Sequence, residues 1–319
     1  MEVRISIVFL FASPGENGKR GEMEYKKFEE KIINLLQEKM GAGYVVQTAE
    51  VMKNNDIRLR GIVILRESDK ISPTIYLEEP YRKYCGGADM QEIAEQIAAL
   101  YEEQERHIHF DMDFFCEYGR VKDRIFYKLV HYGKNRRLLE DVPHFKWHDL
   151  AVVFYYAMEE KLLGKASILI HSNHLDMWEQ SAEKLYRDAQ DNMKRGMPEQ
   201  LIPLQEMIES ITGVKPQKEK EVQMYVLTNA ERMYGAAVML YSEKMKELAD
   251  SLQSDLLLLP SSVHEILVLP DTGNAQYRFY LEMVEEINTT QVEPEEVLSY
   301  GLYRYNRMRE EIEEIAMEG

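Results

Sequence analysis

At 319 residues, 45% of them apolar and 30% charged, the chain is long and apolar enough to bury one large core or two ordinary ones, which excludes a disordered protein. Its net charge of −17, from 39 Lys and Arg against 56 Asp and Glu, argues against nonspecific binding to nucleic acid or anionic membranes, because phosphate affinity depends on basic side chains releasing counterions. The cysteines Cys85 and Cys116 have no Cys-x-x-Cys or Cys/His spacing, so a disulfide framework and a zinc ribbon are unsupported, and no apolar run reaches the roughly 18 to 20 residues that span a bilayer.

The chain opens with the apolar run Ile5–Ala12 after Met1-Glu-Val-Arg4. Its basic flank is weak and Ser13-Pro14-Gly15 is a poor cleavage site, which argues against a secretory signal. Lys19-Arg20-Gly21-Glu22 stands directly before Met23, and its possible codons include purine-rich strings of the ribosome-binding type. Residues 1–22 are therefore expected to be a misannotated upstream extension, with Met23 the start.

From residue 23 to 106 the pattern predicts a small α+β module: helix, three strands, helix. Phe28, Ile32, Leu35, Leu36 and Met40 recur at helical spacing, and Gly41 and Gly43 end that helix. Tyr44 to Met52 reads as a strand, and Lys53-Asn-Asn-Asp56 supplies turn chemistry, since Asn and Asp tolerate positive φ. Ile57 to Leu65 alternates apolar residues with Arg58 and Arg60, and Pro73 to Leu77 forms a third short strand. Asp89, with Glu92 three residues on, caps a helix bearing Ile93, Ile97 and Leu100. Nothing catalytic stands out here, so the module reads as a dimerisation or docking element.

Residues 107–319 read as a larger domain with a mixed sheet flanked by helices, so that the chain as a whole is α/β (α+β). Strand signals fall at Ile125–His131, Leu150–Tyr156, Ala166–Ile170, Val222–Leu227, Tyr234–Tyr241, Leu256–Leu259 and Ile266–Leu269. Helices are expected from Ser181 towards Arg195, over Ile202–Ile211, Met245–Leu252 and Tyr277–Ile287, and in the acidic run Arg309–Met317. Gly213 to Glu221 reads as an exposed linker. A basic stretch from Arg120 to Arg137 holds seven cations against Asp123 alone, and is expected to pair with the acidic remainder of the fold or to meet an acidic partner.

Three expected strands end in polar groups: His171-Ser-Asn173-His174, Thr228-Asn229, and Pro260-Ser261-Ser262 followed by Val263-His264-Glu265. Polar groups gathered at strand ends suit a ligand crevice, although Asn, Ser and Pro also simply make turns. The candidate catalytic residues are Ser261, Ser262, His264, Glu265 and His174, and the candidate ligand-binding residues are Asn173 and Asn229. A hydrolase assembled from Ser262, His264, His174 and Asn229 has the residue types of nucleophile, base and orienting group, but no Gly-x-Ser-x-Gly elbow. His171-x-x-His174 and His107-x-His109 with Asp111 and Asp113 are thin as metal sites, and Glu140, Asp141 and Asp149 near His144 form at most an acidic cluster. Neither Gly-x-x-x-x-Gly-Lys-Ser/Thr nor Gly-x-Gly-x-x-Gly occurs, so neither metal nor cofactor is expected.

Several stretches together carry a family resemblance. They are Ile71-Ser-Pro-Thr-Ile-Tyr-Leu77, Asn173-His174-Leu175, the helix from Ser181 through Glu183, Leu185 and Ala189 to Asn192, and Tyr225-Val-Leu-Thr-Asn229. Tyr234-Gly-Ala-Ala237, Leu259-Pro-Ser-Ser-Val-His-Glu265 and Gln291-Val-Glu-Pro-Glu-Glu-Val-Leu-Ser299 complete the set. The chain resembles the bacterial family known as domain of unknown function 5688 over about residues 23–305. The resemblance implies a cytoplasmic bacterial protein and brings no activity with it. The expectation is thus a binding or regulatory protein acting through a protein partner or a small ligand, with a possible homodimer and without nucleic acid or membrane. The alternative is the hydrolase above.

Overall fold

Phe28, Ile32 and Leu36 recur every four residues and are all fully buried on one side of helix α1 (Lys19–Met40). Each contributes roughly 1.5 to 3 kcal/mol by leaving water. A computed structural model describes residues 19–66, 74–107, 112–158, 167–212, 223–273 and 276–315. The expected upstream extension falls outside the described residues up to residue 18, as does the linker expected at 213–221. The chain divides into two units: Met1–Arg124 with Tyr155–Leu169, and Ile125–Phe154 with Ile170–Gly319.

In the first unit, β1 (Tyr44–Met52) and β2 (Arg58–Arg66) pair antiparallel over nine residues, from Tyr44↔Arg66 to Met52↔Arg58. The turn between them holds Asn55 at φ 63° and Asp56 at φ 52°, the left-handed conformations that those side chains accept. Strand β3 (Thr74–Tyr76) joins the far side of β2, giving the order β1-β2-β3. Helices α2 (Glu78–Cys85) and α3 (Met90–His107) follow, and Asp89 Oδ1 caps α3 by accepting from the amides of Gln91 and Glu92. Ile62 and Ile64 of β2 share one core with α1 and with Ile93, Ile97 and Tyr101 of α3. Short helices α4 (Met112–Cys116) and α5 (Tyr118–Val121) close this stretch.

The remaining elements begin with β4 (Ile125–His131), α6 (Arg136–Leu139), β5 (His144–Trp147), β6 (Leu150–Ala157) and β7 (Ser167–Leu169). Strands β4, β6 and β5 lie in that order, with β7 also paired to β6. After α7 (Ser172–Trp178) and α8 (Ala182–Gly196) come β8 (Glu199–Pro203), α9 (Leu204–Thr212), β9 (Tyr225–Asn229), α10 (Glu243–Leu252), β10 (Leu256–Leu259), β11 (Ile266–Pro270), α11 (Tyr277–Thr290), β12 (Tyr303–Asn306) and β13 (Glu311–Glu314). The six-stranded sheet has the order β13-β12-β10-β11-β9-β8, and all its ladders are antiparallel. Tyr277, Tyr280 and Val284 of α11 bury against Leu257, Leu259 and Leu269 of that sheet.

Three local expectations are corrected. Tyr234–Tyr241 is not a strand: Gly235–Leu240 is a buried 3₁₀ segment entered through Tyr234 at φ 52°. A short apolar run has no period that separates a buried strand from a buried helical turn. Arg309–Met317 is not helical over its described part, because residues 311–314 form β13 on β12, with Arg304 bound to Glu313 across the ladder at 2.9 Å. Cross-strand pairing overrides the helix propensity of its glutamates. Ile202–Ile211 begins as strand β8 and turns helical only at Leu204.

Three of the seven cations of the basic stretch lie over tyrosine rings. Arg124 lies over the Tyr156 ring, Lys128 over Tyr234 at 4.3 Å, and Lys134 over Tyr300 at 4.0 Å.

Candidate functional site

Strands β9 and β10 both run antiparallel to β11, which lies between them, so their carboxyl ends emerge at the same end of the sheet. Two of the three polar strand ends therefore meet; the third, after β7, belongs to the other sheet. At this meeting Thr228 Oγ1 donates to the carbonyl of His264 at 2.8 Å. Asn229, fully buried, spans a tight turn: its Oδ1 accepts from the Met233 amide and its Nδ2 donates to the Met233 carbonyl. That turn holds Arg232 at φ 49° and Tyr234 at φ 52°.

Tyr234 then lies flat on His264, with ring centroids 5.6 Å apart and planes 13° from parallel. Its amide donates to His264 Nδ1 at 3.2 Å. A nitrogen that accepts an amide proton carries none itself, so the ring proton sits on Nε2, which faces Glu296 Oε1 at 3.3 Å. The His264 contact holds the Glu296 carboxyl below the usual carboxylate range, against the opposing effect of burial. Glu265 goes the other way: burial pushes its pKa up, with nearby Glu296 adding to the shift and His264 and Arg232 opposing it.

Ser262 serves the backbone through its side chain, and Ser261 through its carbonyl. Ser262 Oγ accepts from the amide of His264 at 3.0 Å, and Ser262 forms an antiparallel bridge with Val297. The carbonyls of Pro260 and Ser261 accept from Ser299 and Leu298, and the Val263 amide donates to Glu296. The loop after β10 is thus stitched to residues 296–299.

His174 has different surroundings. It is buried in the first turn of α7, where Nδ1 accepts from the His171 amide at 3.0 Å and the ring packs on Trp178. His171 is the N-cap of α7 and His174 lies inside the helix. His171 Nδ1 meets Asp141 Oδ2 at 2.7 Å, and Asn173 is exposed on the same turn. Burial lowers the His174 pKa to about 4, with His171 adding to the effect and Asp141 opposing it. Among the described residues no three His, Cys, Asp or Glu side chains gather as a metal site; His109 and Asp111 lie outside those residues.

A second polar cluster centres on Asp149, which accepts from the hydroxyls of Tyr303 and Ser299, with His131 Nε2 at 3.8 Å. Ser299 and Tyr303 are fully buried, and Ser299 Oγ also accepts from the Gly301 amide. The hydroxyls hold the segment leading into β12 against the turn before β6.

An open cleft of about 460 Å³ lies where the 3₁₀ segment and the start of α10 face the β12–β13 hairpin. Trp147, Tyr241 and Tyr305 supply aromatic surface, while Glu243, Glu310 and Glu311 outnumber Lys246, which pairs with Glu310. Trp147 is held by stacking on Tyr303, planes 5° apart, and Tyr241 by donating to the Met197 carbonyl at 2.8 Å. None of these cleft residues was singled out as a site from the sequence. They come from β5, the 3₁₀ segment, α10 and the last hairpin, and no spacing in the chain links them.

A family model described as a family of unknown function (DUF5688) matches residues 25–307, in agreement with the resemblance carried by the motifs. No curated protein and no solved structure matches the chain. No helix among the described residues is long and apolar enough to cross a membrane.

Proposed function

The chain belongs to DUF5688, a family of unknown function, and we propose that it is a binding protein whose cleft between α10 and the β12–β13 hairpin receives a cationic group. One observation carries the choice of binding over catalysis: Thr228, Asn229, Ser262 and His264 at the joined strand ends are each bound within the chain. A serine nucleophile needs the acceptor nitrogen of its base, and in His264 that nitrogen takes the Tyr234 amide. Ser262 is oriented by the amide of His264 and not by its ring.

The cleft has the opposite character. Aromatic faces beside excess carboxylates favour an ammonium or guanidinium, through ring quadrupoles and direct charge. Its size falls within the range of small-ligand pockets, which run from roughly 300 to 1,000 Å³. An entering cation competes with Lys246 for Glu310.

The chain has two tryptophans, Trp147 and Trp178, so a Trp178→Phe variant reports on the cleft alone. Arginine amide and spermidine are expected to change its emission saturably, and Glu310→Lys to weaken that response by roughly tenfold or more. No response to either cation sinks the cleft assignment. Separately, Ser262→Ala and Asn229→Ala are expected to lower the melting temperature. Asn229→Ala has the larger effect, on the order of 2 kcal/mol, because it strands a buried amide and carbonyl. Turnover of ester, phosphoester or peptide substrates by the parent, lost in both variants without a loss of stability, would establish the hydrolase instead.

Burial of Glu265 gives a further expectation. A carboxyl with a raised folded pKa is held in its charged form at a cost, so Glu265→Gln should stabilise the protein at pH 7. Because protonation removes the cost, the advantage should fade as the pH falls through the carboxylate range. Chemical denaturation at pH 7 and pH 4 measures both; a variant less stable than the parent at pH 7 contradicts it.

A further inference from the structure

Among the described residues, the long edge strand of the first unit is guarded over only half its length. Gln37 of α1 reaches across to β1, where its Nε2 donates to the Tyr44 carbonyl and its Oε1 accepts from the Val46 amide. Those two backbone groups therefore point away from β2. In an antiparallel ladder the outward direction alternates, so Thr48 and Glu50 also present their N–H and C=O outward. Neither residue's outward groups have a partner among the described residues. Beside this open half lies a groove of about 270 Å³, whose lining includes Lys26, Glu29 and Glu30 of α1 with Thr48, Glu50 and Arg60 of the sheet.

Three other sheet edges carry the usual protection. β3 has three residues, β8 ends in Pro203, and β13 has four residues, three of them glutamate. β1 has nine residues with neither proline nor lysine, and its register is unbroken by a bulge.

We infer that the Thr48–Met52 edge of β1 is a docking site for an extended segment of another protein that carries a basic side chain opposite Glu50. Main-chain hydrogen bonds to Thr48 and Glu50 supply the attachment, and the groove supplies the selectivity. Its acids, Glu29, Glu30 and Glu50, outnumber Lys26 and Arg60. Glu29 is only 3.9 Å from Arg60, and Glu50 is bound to Arg58 on the strand rim, so an added cation enters an existing ladder of alternating charge.

A second copy of the chain is a poorer occupant. Two-fold pairing centred on Glu50 sets that carboxylate opposite its own copy, and like charges directly opposite are destabilising. Registers shifted towards Val46 meet Gln37, which already holds the Val46 amide.

The test uses the full chain and labelled acetylated pentapeptides, Val-Lys-Val-Lys-Val and Val-Glu-Val-Glu-Val, read by fluorescence anisotropy. The basic peptide is expected to bind, and the acidic one to bind at least roughly tenfold more weakly. Thr48→Pro removes one outward N–H without touching the β1–β2 ladder, so it should weaken binding by a similar factor, roughly tenfold, with an unchanged melting temperature. Glu50→Lys should reverse the peptide preference, and it answers the question even if the proline variant fails to fold. Failure of the basic peptide to bind, equal binding of both peptides, or no effect of Glu50→Lys overturns the proposal. So does a dimer in sedimentation that Thr48→Pro dissociates, since it assigns the edge to a second copy. Loss of the cleft response described above leaves this edge unaffected.

Discussion

Gly235→Ala is expected to destabilise the protein by about 3 kcal/mol or more, at the upper end of what overpacking a core costs. A Cβ at that position would stand 2.1 Å from Thr228 Oγ1, 2.4 Å from the His264 carbonyl oxygen and 2.9 Å from the Asn229 amide nitrogen. Two of these are backbone atoms at the meeting of β9 and β11, so no rotamer change relieves the contact. The glycine lets the 3₁₀ segment begin directly against that junction, with Tyr234 stacked on His264 before it. Urea unfolding should show a much lower midpoint with an unchanged slope. Gly43→Ala is the control, because nothing lies within 4 Å of its Cβ position and its φ is ordinary. Equal midpoints for Gly235→Ala and the parent would mean that the junction is looser than its packing implies.

The second large effect is acid sensitivity from His174. Burial keeps its imidazole neutral in the folded chain and lowers its pKa to about 4, while in the unfolded chain it titrates near the ordinary value of 6.5. Between these values the unfolded state takes up a proton that the folded state refuses. Stability should therefore fall as the pH drops from about 6.5 to about 4 and be insensitive to this group below that. At about 1.4 kcal/mol per pH unit the full loss is on the order of 3 kcal/mol. His174→Gln keeps an acceptor for the His171 amide and removes the titration, so its stability should lack this part of the pH slope. Denaturation midpoints from pH 4 to pH 7.5 measure the difference. An identical slope in the variant and the parent would assign the acid sensitivity to other groups. Glu296 acts at lower pH: its depressed pKa adds stability above the ordinary carboxylate value, lost as the pH falls through the folded value.

Much of the first unit was legible along the chain, because its elements are built from local signals. The buried stripe of α1, the Asn55–Asp56 turn and the Asp89 cap each reside within a few residues, and each appears where those residues place it. Ser181 capping α8 through the Lys184 amide is of the same kind. The polar strand ends were also legible as a list of residues. Their roles were not, because the partners of Ser262 and His264 are backbone amides and a glutamate 32 positions away. Tyr234 illustrates the limit: the apolar run that it opens reads as a strand, and the left-handed turn that it makes is stabilised by a distant imidazole.

By itself the sequence determined the α/β class, the helix caps and turns, the family and the inventory of polar groups, since periodicity and capping are properties of neighbours. Tertiary structure alone decided that β9 and β10 end together and that His264 is engaged on both nitrogens. It also decided that Trp147 and Tyr305 share a cleft and that Gln37 covers only half of β1. Those outcomes depend on strand order and ladder direction, which join residues far apart in the chain and which no local pattern encodes.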